Sequence, residues 1–162
     1  MVASLIYNWF GLHAIPWKVW SKAKAFPALV SSVPFTTLYG TVGKSEFVLC
    51  LAPTVQIRIE CKWQQVTGSV DEKYPYLLEC MKHVPENRVI IVYGGGGAKP
   101  AAIQWLRTEA KRVEHKAIAA CSIEEFAVIV SRLRTEPLAT SEEGSQDQEV
   151  LRASAAQLAY SM

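Results

Sequence analysis

From Val55 to Trp63 the chain alternates without a break: Val55, Ile57, Ile59, Cys61 and Trp63 are apolar, while Gln56, Arg58, Glu60 and Lys62, followed by Gln64, are polar. A period of two belongs to extended backbone, whose side chains point in turn to opposite faces, so this run is a strand with one buried and one polar face. Such a strand must lie in a sheet, and its neighbours supply the rest. A β run at Pro34–Tyr39, a turn at Gly40–Gly43 and a second β run at Ser45–Leu51 precede it, with Ala52, Pro53 and Thr54 as the connecting loop.

Helix and strand signals then take turns. Ser69 and Glu72 have capping-box spacing and open a helix to about Lys82, in which Pro75 either makes a kink or marks a later start. Arg88–Tyr93 is short and almost wholly apolar, as suits a strand covered on both sides. Gly94–Gly97 breaks it, Pro100–Lys111 reads as a helix, Ala117–Ala120 as a weak strand and Ser122–Arg134 as a last helix. With an opening helical region to about Ala28, the order is α-β-β-β-α-β-α-β-α, which implies a mixed α/β sheet flanked by helices.

Composition sets the domain count. Of 162 residues about half are apolar, enough for one domain with a core. Residues 1–134 carry 16 Lys and Arg against 10 Asp and Glu, while 135–162 carry one Arg against five acids. The first part is one mildly basic domain that can accept a polyanion. From Thr135 to Glu149 there are no aromatic residues, and Ser, Glu, Gln and Gly abound, so 135–162 is expected to be an acidic, disordered tail with a short terminal helix in VLRASAAQLAYSM.

Other classes are excluded on spacing. Cys50, Cys61, Cys80 and Cys121 form no C-x-x-C pair and do not cluster with His, which points to reduced thiols in a cytoplasm and not to a zinc site or a disulfide framework. The apolar stretch Met1–Trp20 lacks a basic start and is interrupted by His13, Pro16 and Lys18, so it reads as a buried or partner-facing helix, with no membrane span. GGGGAKP after the strand VIIVY lacks the Gly before Lys99 and the Ser or Thr after it that a P-loop needs. It is a glycine turn, whose backbone N–H groups could still approach a phosphate.

The chemistry-bearing residues sit on the hairpin. If Leu51 pairs with Val55 across the three-residue loop, Glu46 falls directly opposite Glu60, and Lys62 points to the same face. Two opposed carboxylates repel, and a divalent cation would remove the conflict. The bland alternative is an exposed ladder of Arg58, Glu60 and Lys62. Glu46 favours the cation, because it is expected to share its face with Val48 and Cys50, where a lone carboxylate is costly.

The run IRIECKWQQVTGSVDEK, preceded by PFTTLYGTVGKSEFVL, resembles the core of PD-(D/E)XK nucleases, the restriction-endonuclease-like superfamily. The likeness is greatest to branches from phages and mobile elements, where E-C-K-x-Q precedes G-S-x-x-E-K, and it covers about Pro34 to Phe126. It implies a restriction-endonuclease-like fold with an αβββαβ core, and cleavage of nucleic acid phosphodiesters with Mg²⁺ or Mn²⁺. By position, Glu46 and Glu60 become the metal-binding acids, the backbone carbonyl of Cys61 a further ligand, and Lys62 the catalytic lysine. Gln64, one step of the pleat beyond Lys62, could hold the scissile phosphate or a water, or be an exposed surface glutamine. Lys44 and Lys73 could contact the nucleic acid backbone, with Lys73 equally readable as a solvated lysine. DNA is the expected partner, with RNA left open, and two cuts in a duplex would call for a homodimer.

Three departures from the pattern stand out: the first acid is Glu where Asp is usual, no proline precedes it, and no Asp or Glu occurs before it to supply the acid that many members carry on the opening helix. They support a second reading, a catalytically inactive nucleic-acid- or partner-binding module on the same fold. Trp9, Trp17 and Trp20, interleaved with Lys18, Lys22 and Lys24, could stack on bases in such a module, or simply be core tryptophans.

Overall fold

Gly11 and Pro16 divide the N-terminal stretch that periodicity alone reads as one helical region. In the computed structural model, which describes residues 1–66 and 70–135, helix α1 (Val2–Phe10) stops at Gly11, whose φ of 69° closes the helix in the left-handed region. A short strand β1 (Ala14–Pro16) and helix α2 (Trp17–Ala23) follow. Strand β2 then runs over Ala28–Thr36, well ahead of the expected Pro34–Tyr39. Its apolar start, Ala28-Leu29-Val30, carries no polar alternation because both faces are covered, and periodicity cannot mark such a strand.

Strands β3 (Val42–Ala52) and β4 (Val55–Trp63) form the expected hairpin. Helix α3 (Val70–His83) carries Pro75 inside it. Strand β5 (Arg88–Gly94), helix α4 (Pro100–Lys111), strand β6 (Ala117–Ser122) and helix α5 (Ile123–Thr135) complete the order, close to the limits expected for each. Ser122 caps α5: its hydroxyl accepts from Glu125 N at 3.3 Å while the Glu125 carboxylate accepts from Ser122 N at 2.7 Å, a reciprocal capping box. The expected serine cap at 69 and the acidic tail from 136 lie outside the described residues.

The six strands form one mixed sheet in the order β1-β2-β3-β4-β5-β6. β2, β3 and β4 are antiparallel, whereas β1 pairs parallel with β2 and β4, β5 and β6 run parallel to one another. Helices α1 and α5 cover one face, with Ile6, Phe126 and Val130 packed on Leu49, Ile57, Ile59 and Ile90. Helices α3 and α4 cover the other, where Leu78, Met81 and Leu106 meet Val89, Ile91 and Ile118. Burying each such side chain stabilises the fold by about 1.5–3 kcal/mol. The α1-β2-β3-β4-α3-β5 succession is the expected αβββαβ core. Among the described residues no helix is long and apolar enough to cross a membrane.

Candidate active site

The β3–β4 register is the expected one, reached differently. The turn holds Pro53 and Thr54 with Ala52 opposite Val55, and an irregularity between Cys50 and Ala52 absorbs the extra residue. From there Cys50 faces Gln56, Leu49 faces Ile57, Val48 faces Arg58 and Phe47 faces Ile59. The ladder ends at that pair, so the directly opposed Glu46–Glu60 pair expected from the sequence does not form.

Glu46 lies where side-chain alternation breaks. Phe47 and Leu49 pack with the α1/α5 layer, yet the Ser45 hydroxyl, two residues before Phe47, accepts from Arg58 Nη1 at 2.8 Å on the opposite face. Strand β2 switches faces at the same level: Leu29 belongs to the α1/α5 layer, Val33 to the cluster of Val30 and Val48, and Ser32 between them has a φ of 56°. Glu46 therefore does not continue the face of Val48 and Cys50. It is exposed and accepts a hydrogen bond from the Cys61 thiol. Burial, followed by the Glu46 charge and that bond and then by the Glu60 charge, holds the thiol well above the usual range, and the Lys62 charge pulls it the other way.

Glu60 is 5 % exposed. Its Oε1 accepts from Lys62 Nζ at 2.7 Å, and its Oε2 is buried with no hydrogen-bond partner. Lys62 in turn lines a cavity of about 310 Å³ together with Glu46, Cys61 and the first residues of α1. Glu60 is laddered to Ile91 of the α3/α4 layer, whereas Glu46 lies with Cys61 and Val92 on the α1/α5 side. The two carboxylates therefore project to opposite faces of the sheet and the expected pairing of the acids is not formed; Lys62 binds the one and lines a cavity with the other. Among the described residues no group of three His, Cys, Asp or Glu is arranged to hold a metal, so an ion at Glu60 would rest on that carboxylate and main-chain oxygen. The orphaned Glu60 Oε2 fits that role, since a buried carboxylate oxygen without a partner is costly.

The polar face of β4 is not a solvent face. Arg58 is 1 % exposed, clasped by Glu86 through Nε (2.6 Å) and Nη2 (2.9 Å). Gln64 is buried beneath the glycine turn, with Nε2 donating to Val66 O at 2.7 Å and Gly97 O at 3.3 Å and Oε1 unpartnered. Its amide hydrogens are engaged inside the protein and do not face a phosphate. The chain folds back here because Gln64 N donates to Gly94 O and Gly97 N to Gln64 O, at 2.9 and 2.8 Å. Lys44 and Lys73 are exposed. Trp63, expected on the buried face, is 53 % exposed, and Trp20 is a core residue whose Nε1 donates to Ala25 O at 2.8 Å.

Glu46, Glu60 and Lys62 all lie within the span that a known family matches. The family model described as a PD-(D/E)XK nuclease superfamily domain matches residues 2–133. The chain belongs to the PD-(D/E)XK nuclease superfamily. Among solved structures, the small subunit of the heterodimeric restriction endonuclease R.BspD6I is similar at 11 % identity with a TM-score of 0.43, over 86 % of this chain and 76 % of that one. Comparison with curated proteins gives no match.

Proposed function

We propose that this protein is a nuclease that hydrolyses DNA phosphodiester bonds with Mg²⁺ or Mn²⁺, using residues 1–134 as the nuclease domain and 135–162 as an acidic tail. The observation that carries this reading is the state of Glu60: buried, bonded on one oxygen by Lys62 and orphaned on the other, with Lys62 itself lining a cavity. A structural ion pair has no need of that second oxygen. Glu60 and the backbone carbonyl of Cys61 would hold the ion, and Glu46, which is exposed at the end of the hairpin but lies on the other face with Cys61, would have to turn round that end to join them.

When bound, the divalent ion supplies Lewis acidity, making water more acidic and neutralising charge on the phosphate. Glu60 fixes the Lys62 ammonium, which lines the cavity and can there orient the attacking water and stabilise the hydroxide formed as its proton leaves to solvent. The Lys44 and Lys73 side chains lie in solvent, where they can track a phosphate backbone. Gln64 acts by position, holding the end of β4 against the glycine turn. A homodimer would place two such centres on a duplex, and reduced thiols accord with a cytoplasmic setting.

Nicking of supercoiled plasmid tests this directly. Wild type should nick with Mg²⁺ or Mn²⁺ and not with chelator, and Lys62→Ala and Glu60→Gln should each lose at least about 100-fold in rate, with melting temperatures checking that they fold. Equal background in wild type and both variants with each metal would favour the inactive module instead. The Glu46 contact with the Cys61 thiol is the observation on that side.

A further inference from the structure

Trp63 follows Lys62 directly and is 53 % exposed, on a strand whose other apolar residues are buried or half-buried. Its ladder partner is Gly94, and a Cβ there would fall 2.3 Å from the indole Cζ3. Only glycine lets the ring lie against the β5 backbone, which fixes one face of the indole. The same ring walls two cavities. One, of about 310 Å³, contains Glu46, Cys61 and Lys62; the other, of about 260 Å³, is bounded by Tyr93, Gly95, Gly96, Ile103, Ser122 and Glu124.

The two cavities differ in charge. No Lys or Arg is among the described residues lining the second, whereas the Glu124 carboxylate stands at its edge and accepts from the Ser122 hydroxyl at 2.7 Å. That bond, more than any other influence, holds the Glu124 carboxyl below the usual carboxylate range, so it is ionised at neutral pH. A phosphate would be repelled there. A flat neutral ring with an exocyclic amine is suited to an aromatic wall and a carboxylate acceptor.

We propose that Trp63 and the cavity beside it hold an unpaired nucleobase next to the phosphate presented to Lys62, with a preference for amino-bearing cytosine or adenine. A base stacked within a duplex cannot offer its face to the indole, so the favoured substrates carry single-stranded or unstacked nucleotides at the cut. The proposal rests on the nuclease reading and narrows its substrate.

Binding measured in chelator separates the two. Fluorescence anisotropy of the full chain with a blunt duplex, and with the same duplex bearing a single-stranded arm of cytosines or of thymines, should show tighter binding of the armed DNAs, the cytosine arm ahead. Trp63→Ala should weaken the armed DNAs by about 5- to 150-fold, the span expected when a base loses its aromatic partner, and leave the blunt duplex within about twofold of wild type. Trp63→Phe should retain most of the affinity, and Glu124→Ala should abolish the cytosine preference. Armed DNA bound equally by wild type and Trp63→Ala, or an equal loss for armed and blunt DNA in both Trp63 variants, overturns this proposal while leaving nucleic acid binding intact. No binding of any DNA by wild type overturns the nuclease reading with it.

Discussion

Two charged residues of β4, Arg58 and Glu60, are almost fully buried under different terms. Arg58 has its guanidinium bonded to both oxygens of Glu86 and to the Ser45 hydroxyl, with the Phe35 ring 5.7 Å away. Glu60 has one oxygen bonded and one bare. The first is a completed structural pair, and the second is open to a further cation. Arg58→Met should therefore cost about 3–5 kcal/mol in urea denaturation, because Glu86 is left buried and unpaired. The double substitution Arg58→Met with Glu86→Met should recover most of that loss. A double variant no more stable than the single one would show that the pair is not what matters. In the sequence Arg58, Glu60 and Lys62 look alike, three charges on one strand face. The Glu60–Lys62 contact is legible there because both ends lie on that strand, but the pairing of Arg58 is not, since Glu86 arrives 28 residues later.

At the scale of elements, the glycine turn after β5 decides how the end of β4 is held. Gly95 has a φ of 93°, and a Cβ on it would meet Gln64 O at 2.2 Å; Gly96 has a φ of 74° with nothing within 4 Å. Gly96→Ala should cost about 1–2 kcal/mol from backbone strain alone, and Gly95→Ala a further ~1–3 kcal/mol from overpacking against backbone. Equal melting temperatures for the two would mean that the contact with Gln64 is loose. Elements with a strong local signature were readable in advance: β4 by alternation, α4 by Pro100 at its start, β5 by its apolar run between breakers. Strand β2 was not, because its buried first half resembles any apolar segment. Nor was the break at Ser32 and Glu46, since a change of face within two neighbouring strands leaves the amino-acid pattern almost unaltered. That break separates Glu46 from the face assigned to it by counting. Trp63 escaped for a related reason: alternation puts it indoors, and its exposure follows from where the sheet ends.

At the scale of the whole molecule, the sheet orders the chemistry. Its hairpin half supplies Glu46, its parallel half continues β4 beyond the hairpin, and residues 60 to 63 are therefore laddered only to β5. Strands that part company leave a cavity between them, closed by the start of α1 and the start of α5. Acid, lysine and indole follow one another along one strand where it emerges, and the proposed phosphodiesterase would draw on all three. The central claim is that Glu60, through its unpartnered oxygen, grips a divalent ion, with Glu46 able to join from the end of the hairpin. Isothermal titration of Mn²⁺ into the protein tests it without any substrate. The account predicts a saturable site in wild type that is lost in Glu60→Gln and weakened in Glu46→Ala. Unchanged affinity in both variants, or no binding in wild type, would contradict it.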